Sequence, residues 1–563
     1  MSFSEVKNMI PQHVYHLPII KAYADKLDLV NTVNKLVPSN METDIGTVVL
    51  GLVIDTLSGR SPLYQLESFF EHTNRELLLG SDIPSSAFND TNLGRVMKTI
   101  YAEGTSKILT GLSLNVYNQF EIDRRHIHFD TTSINTYGDY ELAQQDDSVN
   151  IVYGYSKDSR PDLKQFIVSM LCAGGNIPLI TKIEDGNTAD KKANENMLNT
   201  ISKHMKENKE IFDENFVYIA DSALVNENNL SALKNNRFIT RLPASYGECK
   251  RAIQQAVEDN NWTKIGVLSQ EKPTKNRPLA FYKTSEQTVE LYGEKYRAVV
   301  VHSTANDKRK QKSLTKQLEK SQKKLKTQLK PYLKRSYCCK DDALAEKKEV
   351  MAIRTRYHTV KATVAEKVIY KKGRLKKGEK RKVDTIKYYL KVDIEDDTSA
   401  AELKEKEYGC FIMLTNIPKP IPNEEAMYDY TAKQILQYYK EQSYMEKNFS
   451  FLKDDRIVNG LFLKKPEHIE VIGMILVIAL MIWRLIEHEM RKSLKNEAIQ
   501  VAGWDNKPTH RPTAFMLTVK FKHIIVLQIN GETILGQSLN ENLIDFLTLL
   551  GLDQSIFTAK MQQ

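Results

Sequence analysis

The sequence predicts an α/β protein of several domains, and three observations carry that prediction. Its 563 residues leave room for roughly four units at about 150 residues each. Helical apolar spacing runs from about Val14 to Gln119, and from Arg124 onward strand-type runs alternate with helical ones. The composition, 41% hydrophobic and 27% charged, is that of an ordinary globular chain and excludes a fibrous or disordered one.

The start, MSFSEVKNMIPQHVYHL, lacks a basic stretch leading into an apolar run, so no secretory signal is expected. Residues 1–120 read as a helical domain. Thr47–Leu57 is one buried segment and Pro62–Phe70 another, while Asp90 is the expected N-cap of a short amphipathic helix that shows Arg95 and Lys98. A helix-turn-helix for DNA ends is one reading of this region, and plain packing is the other. His126–Ile134 then alternates like a strand and ends on an acid, Asp130. Gln165–Cys172 and Ile177–Ile183 flank Gly174-Gly175-Asn176, a turn signal between two strands. A polar helix follows over Asp190–Glu207, then Phe216–Asp221, a buried strand that ends on an acid, a helix capped by Asn226, and a strand over Arg237–Leu242. Three strands joined as hairpins, then helix, strand, helix, strand, is the ribonuclease H-like succession, which assigns 121–245 to the first part of such a core. Toward the C-terminus, the apolar run Val471–Trp483 is too short to cross a bilayer and leads into Arg484, Glu487 and Glu489, so a buried helix and no membrane contact are expected. Residues 496–563 read as a small mixed appendage.

The net charge is +9, but the positive charge is concentrated. Asp307–Arg335 holds 12 Lys/Arg against 2 acids, and Lys371–Lys382 holds 8 against 1, so the rest of the chain is net acidic. Each run alone reads equally well as a solvated surface. Together they favour a polyanionic partner, because each cation placed on a phosphate releases counterions. The five cysteines are scattered with no CxxC pair, which argues against a zinc site or a disulfide framework and fits a reducing cytoplasm.

The chemistry concentrates in residues 439–453. On one helix, Gln442, Glu446 and Lys453 would fall within roughly 60° of Tyr439, joining a carboxylate, a cation and a phenol. Thr431 and Gln434 can form the capping box that opens this helix. Adjacent strands would set Asp130 and Asp221 about 5 Å apart, and Glu446 would complete a three-carboxylate cluster. Such a cluster is costly without cations between its members, and hard oxygen ligands suit Mg²⁺ or Mn²⁺. Two ions can activate an attacking oxygen and stabilise a leaving one in an in-line displacement. His126 and His128 are expected on opposite faces of their strand, unable to share an ion.

With these residues the chain resembles the DDE transposases of prokaryotic insertion sequences, specifically the "four" superfamily marked by Y-x2-R-x3-E-x6-K. The match is Tyr439, Gln442, Glu446 and Lys453, with glutamine where arginine is usual. His128-Phe-Asp130-Thr-Thr-Ser is similar to that family's first Asp motif and Tyr218-Ile-Ala-Asp221-Ser-Ala to its second. Gly154–Gln165 and Asp185-Gly-Asn187-Thr-Ala-Asp190 are similar to stretches of one elongated branch. The resemblance implies a ribonuclease H-like core with a helical N-terminal domain, and a largely β insertion between the second Asp and the Glu. The candidate insertion is 246–425, and 426–495 returns to the core. Within the insertion, Leu314, Leu318, Leu325 and Leu329 give the first basic run an apolar helical edge, and strands over 364–370 and 383–392 flank the second.

The resemblance further implies catalytic, metal-binding Asp130, Asp221 and Glu446 with two Mg²⁺ or Mn²⁺ ions. Tyr439 and Lys453 would sit on phosphates near the element's end, and Gln442 could offer an amide to a phosphate oxygen. Lys157, Arg160 and Lys164 are candidate DNA-backbone contacts, with a solvated loop as the other reading. The activity implied is cleavage of the ends of a mobile element and their transfer to target double-stranded DNA, by at least a homodimer on paired ends, at a cytoplasmic, nucleoid-associated location. A catalytically silent DNA-binding or repressor descendant and a ribonuclease H-like hydrolytic nuclease are the alternatives.

Overall fold

The computed structural model describes residues 10–560 except 60, 139, 141–148, 208–215, 270–272, 275–277, 356, 373–379, 398–406, 421–428, 455–462, 464 and 530–531. Most of the second basic run therefore lies outside the described residues. The protein is mixed α/β and divides into two compact units, one of Met1–Arg241 with Leu436–Gln563, the other Leu242–Ile435.

In the first unit the expected N-terminal helices are present, among them Leu17–Lys26, Ile45–Ser58, Asp90–Glu103 and Thr105–Gln119. Ile45–Ser58 is buried over residues 45–57, as the apolar run around Val48–Ile54 requires, and Asp44 caps it by accepting the Thr47 N–H at 2.8 Å. Asn89, not Asp90, caps the amphipathic helix by accepting the Asn92 N–H at 2.9 Å. Asp90 instead occupies the first turn, where its charge suits the helix dipole.

The strands of this unit up to Arg241 are β1 (Ile10–His13), β2 (His126–Thr136), β3 (Lys164–Ala173), β4 (Ile177–Glu184), β5 (Val217–Ala220) and β6 (Arg237–Arg241). Five of them run side by side in the order β4-β3-β2-β5-β6. β3 runs antiparallel to both of its neighbours, β2 and β4, and β5 and β6 run parallel to β2. The β3–β4 hairpin turns on Gly174, Gly175 and Asn176, whose φ angles of 40°, 91° and 73° are left-handed, a conformation glycine and asparagine adopt at least cost.

Helix Pro466–Glu497 runs 32 residues, well past the 13-residue apolar run that marked it. It is long and apolar enough to cross a membrane, yet 94% of its most apolar window is buried in the fold. Its covering includes helices Ile45–Ser58 and Asp90–Glu103 and strand β4. The C-terminal residues are knitted into the same core. Strand Ile525–Ile529 pairs antiparallel with β1, and Phe521, Phe546 and Phe557 are fully buried in one cluster with Tyr23.

In the second unit, β7 (Thr263–Val267), β8 (Phe281–Leu291), β9 (Glu294–Ser303) and β12 (Cys410–Thr415) form antiparallel neighbours in the order β12-β9-β8-β7, and β10 (His358–Tyr370) with β11 (Val383–Asp396) forms a long hairpin. The unit is mixed, with helix Gly247–Asp259 at its start, the first basic run forming helix Thr304–Leu333 and a further helix over Lys340–Ala352. The apolar edge expected of the basic helix is present. Leu325 and Leu329 pack with Val350, Val360 and Leu390, and Leu314 and Leu318 pack with Tyr357 and Tyr408. Lys316, Lys320, Lys323, Lys324, Lys326 and Lys330 face solvent on the same helix.

Candidate active site

Strand pairing assembles the centre of the site. β5 lies parallel to β2 in the register His126–Val217 to Phe129–Ala220, so one step further on Asp130 stands opposite Asp221. β5 ends there because Asp221 turns the chain. Its carboxylate accepts the Ala223 N–H at 2.9 Å and caps the turn Ser222–Leu224, and its carbonyl accepts the Thr240 hydroxyl at 2.6 Å. Asp130 does not end its strand, since β2 continues to Thr136 paired with β3. Asp130 Oδ1 accepts the Thr131 N–H at 2.8 Å.

Both acids are held above the ordinary carboxylate range. Burial pushes Asp130 up to about 7, against the opposing pull of Lys157 and the Thr131 N–H and with help from the charges of Asp221 and Asp190. Burial likewise raises Asp221, opposed by the Ala223 N–H and Lys157 and reinforced by Asp190. Desolvated, mutually repelling carboxylates of this kind mark a place where a cation would be welcome.

Asp190 and an inward-turned Lys157 complete the centre, in roles the sequence did not suggest. The Thr131 hydroxyl donates to Asp190 Oδ1 at 2.7 Å. Lys157 Nζ donates to Thr131 O at 2.8 Å and Thr131 Oγ at 2.6 Å, and pairs with Asp190 at 3.2 Å. The two stretches that supply these residues lock together through glycines. A Cβ on Gly154 would stand 2.0 Å from Gly186 O, and one on Gly186 would stand 2.0 Å from Gln165 O.

The four residues expected on one helical stripe are split by a break at Gln442, with Tyr439 on helix Ala432–Glu441, Glu446 on helix Ser443–Leu452 and Lys453 just past its end. The expected capping box opens the first, with the Thr431 N–H on Gln434 Oε1 at 2.9 Å and the Gln434 N–H on Thr431 Oγ at 3.3 Å. At the junction the backbone tightens, the Gln442 N–H bonding Tyr439 O at 3.1 Å and the Met445 N–H bonding Gln442 O at 2.9 Å. The side chain of Gln442 pins this junction to β2. Its Nε2 donates to Phe129 O at 2.6 Å and its Oε1 faces His128 Nδ1 at 3.1 Å, which assigns the proton to Nδ1. Both ends of the amide are thus engaged within the fold.

Tyr439 is within electrostatic reach of both acids. Burial pushes its phenol up to about 12, with Arg241 opposing and the nearby charges of Asp221 and Asp130 contributing. Glu446 is exposed and makes no hydrogen bond or ion pair among the described residues. Lys453 pairs with Asp158 Oδ1 at 2.6 Å, which fastens the helix end to the 154–163 segment. Arg160 is exposed and forms a bidentate pair with Asp162 at 2.7 and 2.9 Å. Lys164 is half-buried with its ammonium on the Tyr140 carbonyl. His126 and His128 share a face after all, because residues two apart on a strand point the same way. Both line a cavity of about 410 Å³ with Asp123, Glu441, Tyr444 and His488, and burial pushes both imidazoles down to about 4. In the second unit Trp262 is half-buried beneath Lys283, whose Nζ stands 4.6 Å from the ring centre.

The donor set suits a hard divalent ion in kind, with two carboxylates on adjacent strands that burial holds above their ordinary range. Among the described residues no three His, Cys, Asp or Glu side chains stand at metal-holding spacing. Mg²⁺ does not require three, since it commonly keeps several waters and binds through one or two carboxylates plus substrate phosphate. Asp130 and Asp221 would hold such an ion, with Asp190 nearby.

A family model described as a domain of unknown function, DUF4277, matches residues 9–114. The matched segment coincides with β1 and the N-terminal helices up to Thr105–Gln119 and stops short of both aspartates. No curated protein matches the chain.

Proposed function

We propose that this chain is a DDE-type DNA transposase, a metal-dependent enzyme that cleaves the ends of its own mobile element and transfers the strands to target DNA, built on a ribonuclease H-like core. The strand order β4-β3-β2-β5-β6, with its antiparallel trio and two added parallel strands, supports the core. The observation that carries the chemistry is the parallel β2–β5 register that juxtaposes Asp130 and Asp221, whose charges reach the buried Tyr439 phenol. Divalent ions of the Mg²⁺ class, two in this reading, would supply Lewis-acid activation of the attacking and leaving oxygens. The protein's own contribution is to hold two carboxylates desolvated and adjacent, to anchor the helix junction on β2 through Gln442, and to offer Tyr439 and Lys453 toward phosphate. The exposed lysines of helix Thr304–Leu333 suit a DNA backbone. Double-stranded DNA, a homodimer on paired ends and a nucleoid-associated cytoplasmic location belong to the same proposal.

One observation favours the catalytically silent DNA-binding reading, namely the exposed, unengaged Glu446. Incubating the protein with a labelled fragment bearing its native element ends, with and without Mg²⁺, separates the readings. Joined product that disappears in Asp130→Asn and Glu446→Gln supports the transposase. Cut product alone makes the protein a hydrolytic nuclease, and a mobility shift with no cutting makes it a silent DNA-binding protein.

A further inference from the structure

We propose that Lys157 is a built-in counter-cation of the acid centre, holding Asp130, Asp221 and Asp190 together until a divalent ion takes over that charge. The inference rests on the metal-dependent reading above. It makes Lys157 a positioning residue rather than a DNA-backbone contact.

The Lys157 ammonium donates to Thr131 O at 2.8 Å and to Thr131 Oγ at 2.6 Å and forms an ion pair with Asp190 Oδ1 at 3.2 Å. These contacts direct the ammonium toward the acid centre. Its charge acts on both strand acids, drawing each of them down against the repulsion of its neighbours. Thr131 relays the arrangement, accepting from Lys157 while donating to Asp190 at 2.7 Å.

The segment that delivers Lys157 is fixed by contacts that do not involve its ammonium. The Lys157 N–H donates to the fully buried Ser133 hydroxyl at 3.1 Å. Ser156 Oγ accepts the Arg160 N–H at 3.1 Å, and Asp158 is fastened to Lys453 at 2.6 Å. The backbone contact of Gly154 with Gly186 sets the base of the loop. Neutralising Lys157 therefore removes a charge from the acid centre while the loop stays anchored. A divalent ion placed between Asp130 and Asp221 would meet repulsion from this ammonium, so the two cations compete for the same carboxylates.

The test uses the full chain and Mn²⁺ alone as probe, with free Mn²⁺ counted by electron paramagnetic resonance and no DNA present. Lys157→Met is expected to bind Mn²⁺ about tenfold tighter than the natural protein, and Lys157→Arg, which keeps the charge, within about twofold of it. Asp130→Asn is expected to abolish the binding. A merely structural lysine would leave affinity unchanged or weaken it on removal. Lys157→Gln, which retains a donor for Thr131 O, is measured in parallel with the same expectation and decides the question where the Met variant fails to fold by circular dichroism. Equal or weaker Mn²⁺ binding by the folded neutral variants overturns the inference and leaves the metal reading standing. Absence of any Asp130-dependent Mn²⁺ binding in both the natural protein and the neutral variants overturns the two together.

Discussion

Arg484 offers the sharpest test of how the candidate site is supported. It lies on helix Pro466–Glu497 with 8% of its side chain exposed, and its Nη1 pairs with Glu487 Oε2 at 2.6 Å, Glu487 being 5% exposed. Its Nε donates to Asn448 Oδ1 at 2.7 Å. Asn448, fully buried on the Glu446 helix, donates in turn to Asn176 O at 2.9 Å in the β3–β4 turn. One guanidinium thus ties three elements together. Arg484→Met keeps most of the apolar stem and removes the charge. Breaking a buried pair from one side costs roughly 3–5 kcal/mol, because the partner charge is stranded. Glu487 would keep Arg491 at 3.3 Å and the Ala514 N–H at 3.2 Å, which places its share near the lower bound, about 3 kcal/mol. The unpaired Asn448 oxygen adds about 1 kcal/mol. We expect a total near 4 kcal/mol in urea unfolding followed by tryptophan fluorescence, Trp483 being one turn-neighbour of the network. The double variant Arg484→Met/Glu487→Gln should recover about 2 kcal/mol, since it removes the stranded charge. A loss below about 1 kcal/mol, or no recovery in the double variant, would refute this account of the network.

Further outcomes follow from other contacts. His16 is buried, bonds Leu57 O at 3.0 Å through Nε2, and is pushed down to about 4. The unfolded state therefore takes up a proton first as pH falls below its ordinary value, so stability present at pH 7 is lost on acidification, by about 2 kcal/mol at pH 5 from this residue alone. Urea midpoints of the natural protein and His16→Gln compared at both pH values check it, and a loss unchanged by the substitution refutes it. Gly186→Ala drives a methyl to 2.0 Å from Gln165 O and 2.7 Å from Val152 O. It should lower stability by at least about 2 kcal/mol in a thermal melt, because the obstacle is backbone. Gln442→Ala removes the bonds to Phe129 O and His128 Nδ1, and a destabilisation of about 1–3 kcal/mol by urea titration is expected from the two groups left without partners. Lys453→Ala breaks a partly exposed pair with Asp158. It should cost under about 1 kcal/mol of stability and, on the proposed function, lower the salt slope of DNA binding by about one, read by fluorescence anisotropy.

Much of the local structure could be read from the sequence because its signals are local. The Thr431–Gln434 box, the Gly-Gly-Asn turn, the cap at Asn226 and the strand carrying Asp130 each involve residues a few positions apart, where capping and pleat rules apply directly. The cap at Asn89 was displaced by one position because Asn89 and Asp90 both suit the role and only geometry chooses between them. The continuous stripe across 439–453 failed for a nonlocal reason, since the junction at Gln442 answers to Phe129 and His128 more than 300 residues earlier. Lys157 and Asp190 were equally hidden, as nothing in the spacing of residues 157, 190 and 131 tells that one threonine will bridge them. Opposite faces for His126 and His128 contradicted the pleat itself, which the shared cavity makes plain.

The pairing of β1 with strand Ile525–Ile529 has a consequence for biogenesis. Residues 10–13 wait for partners synthesised some 500 positions later, an interval of tens of seconds at ordinary translation rates. Over that interval the newly made helices lack the covering that Phe521, Phe546 and Phe557 eventually provide. A fragment ending near residue 120 would never receive that covering, so its solubility would depend on chaperones or on a fused carrier.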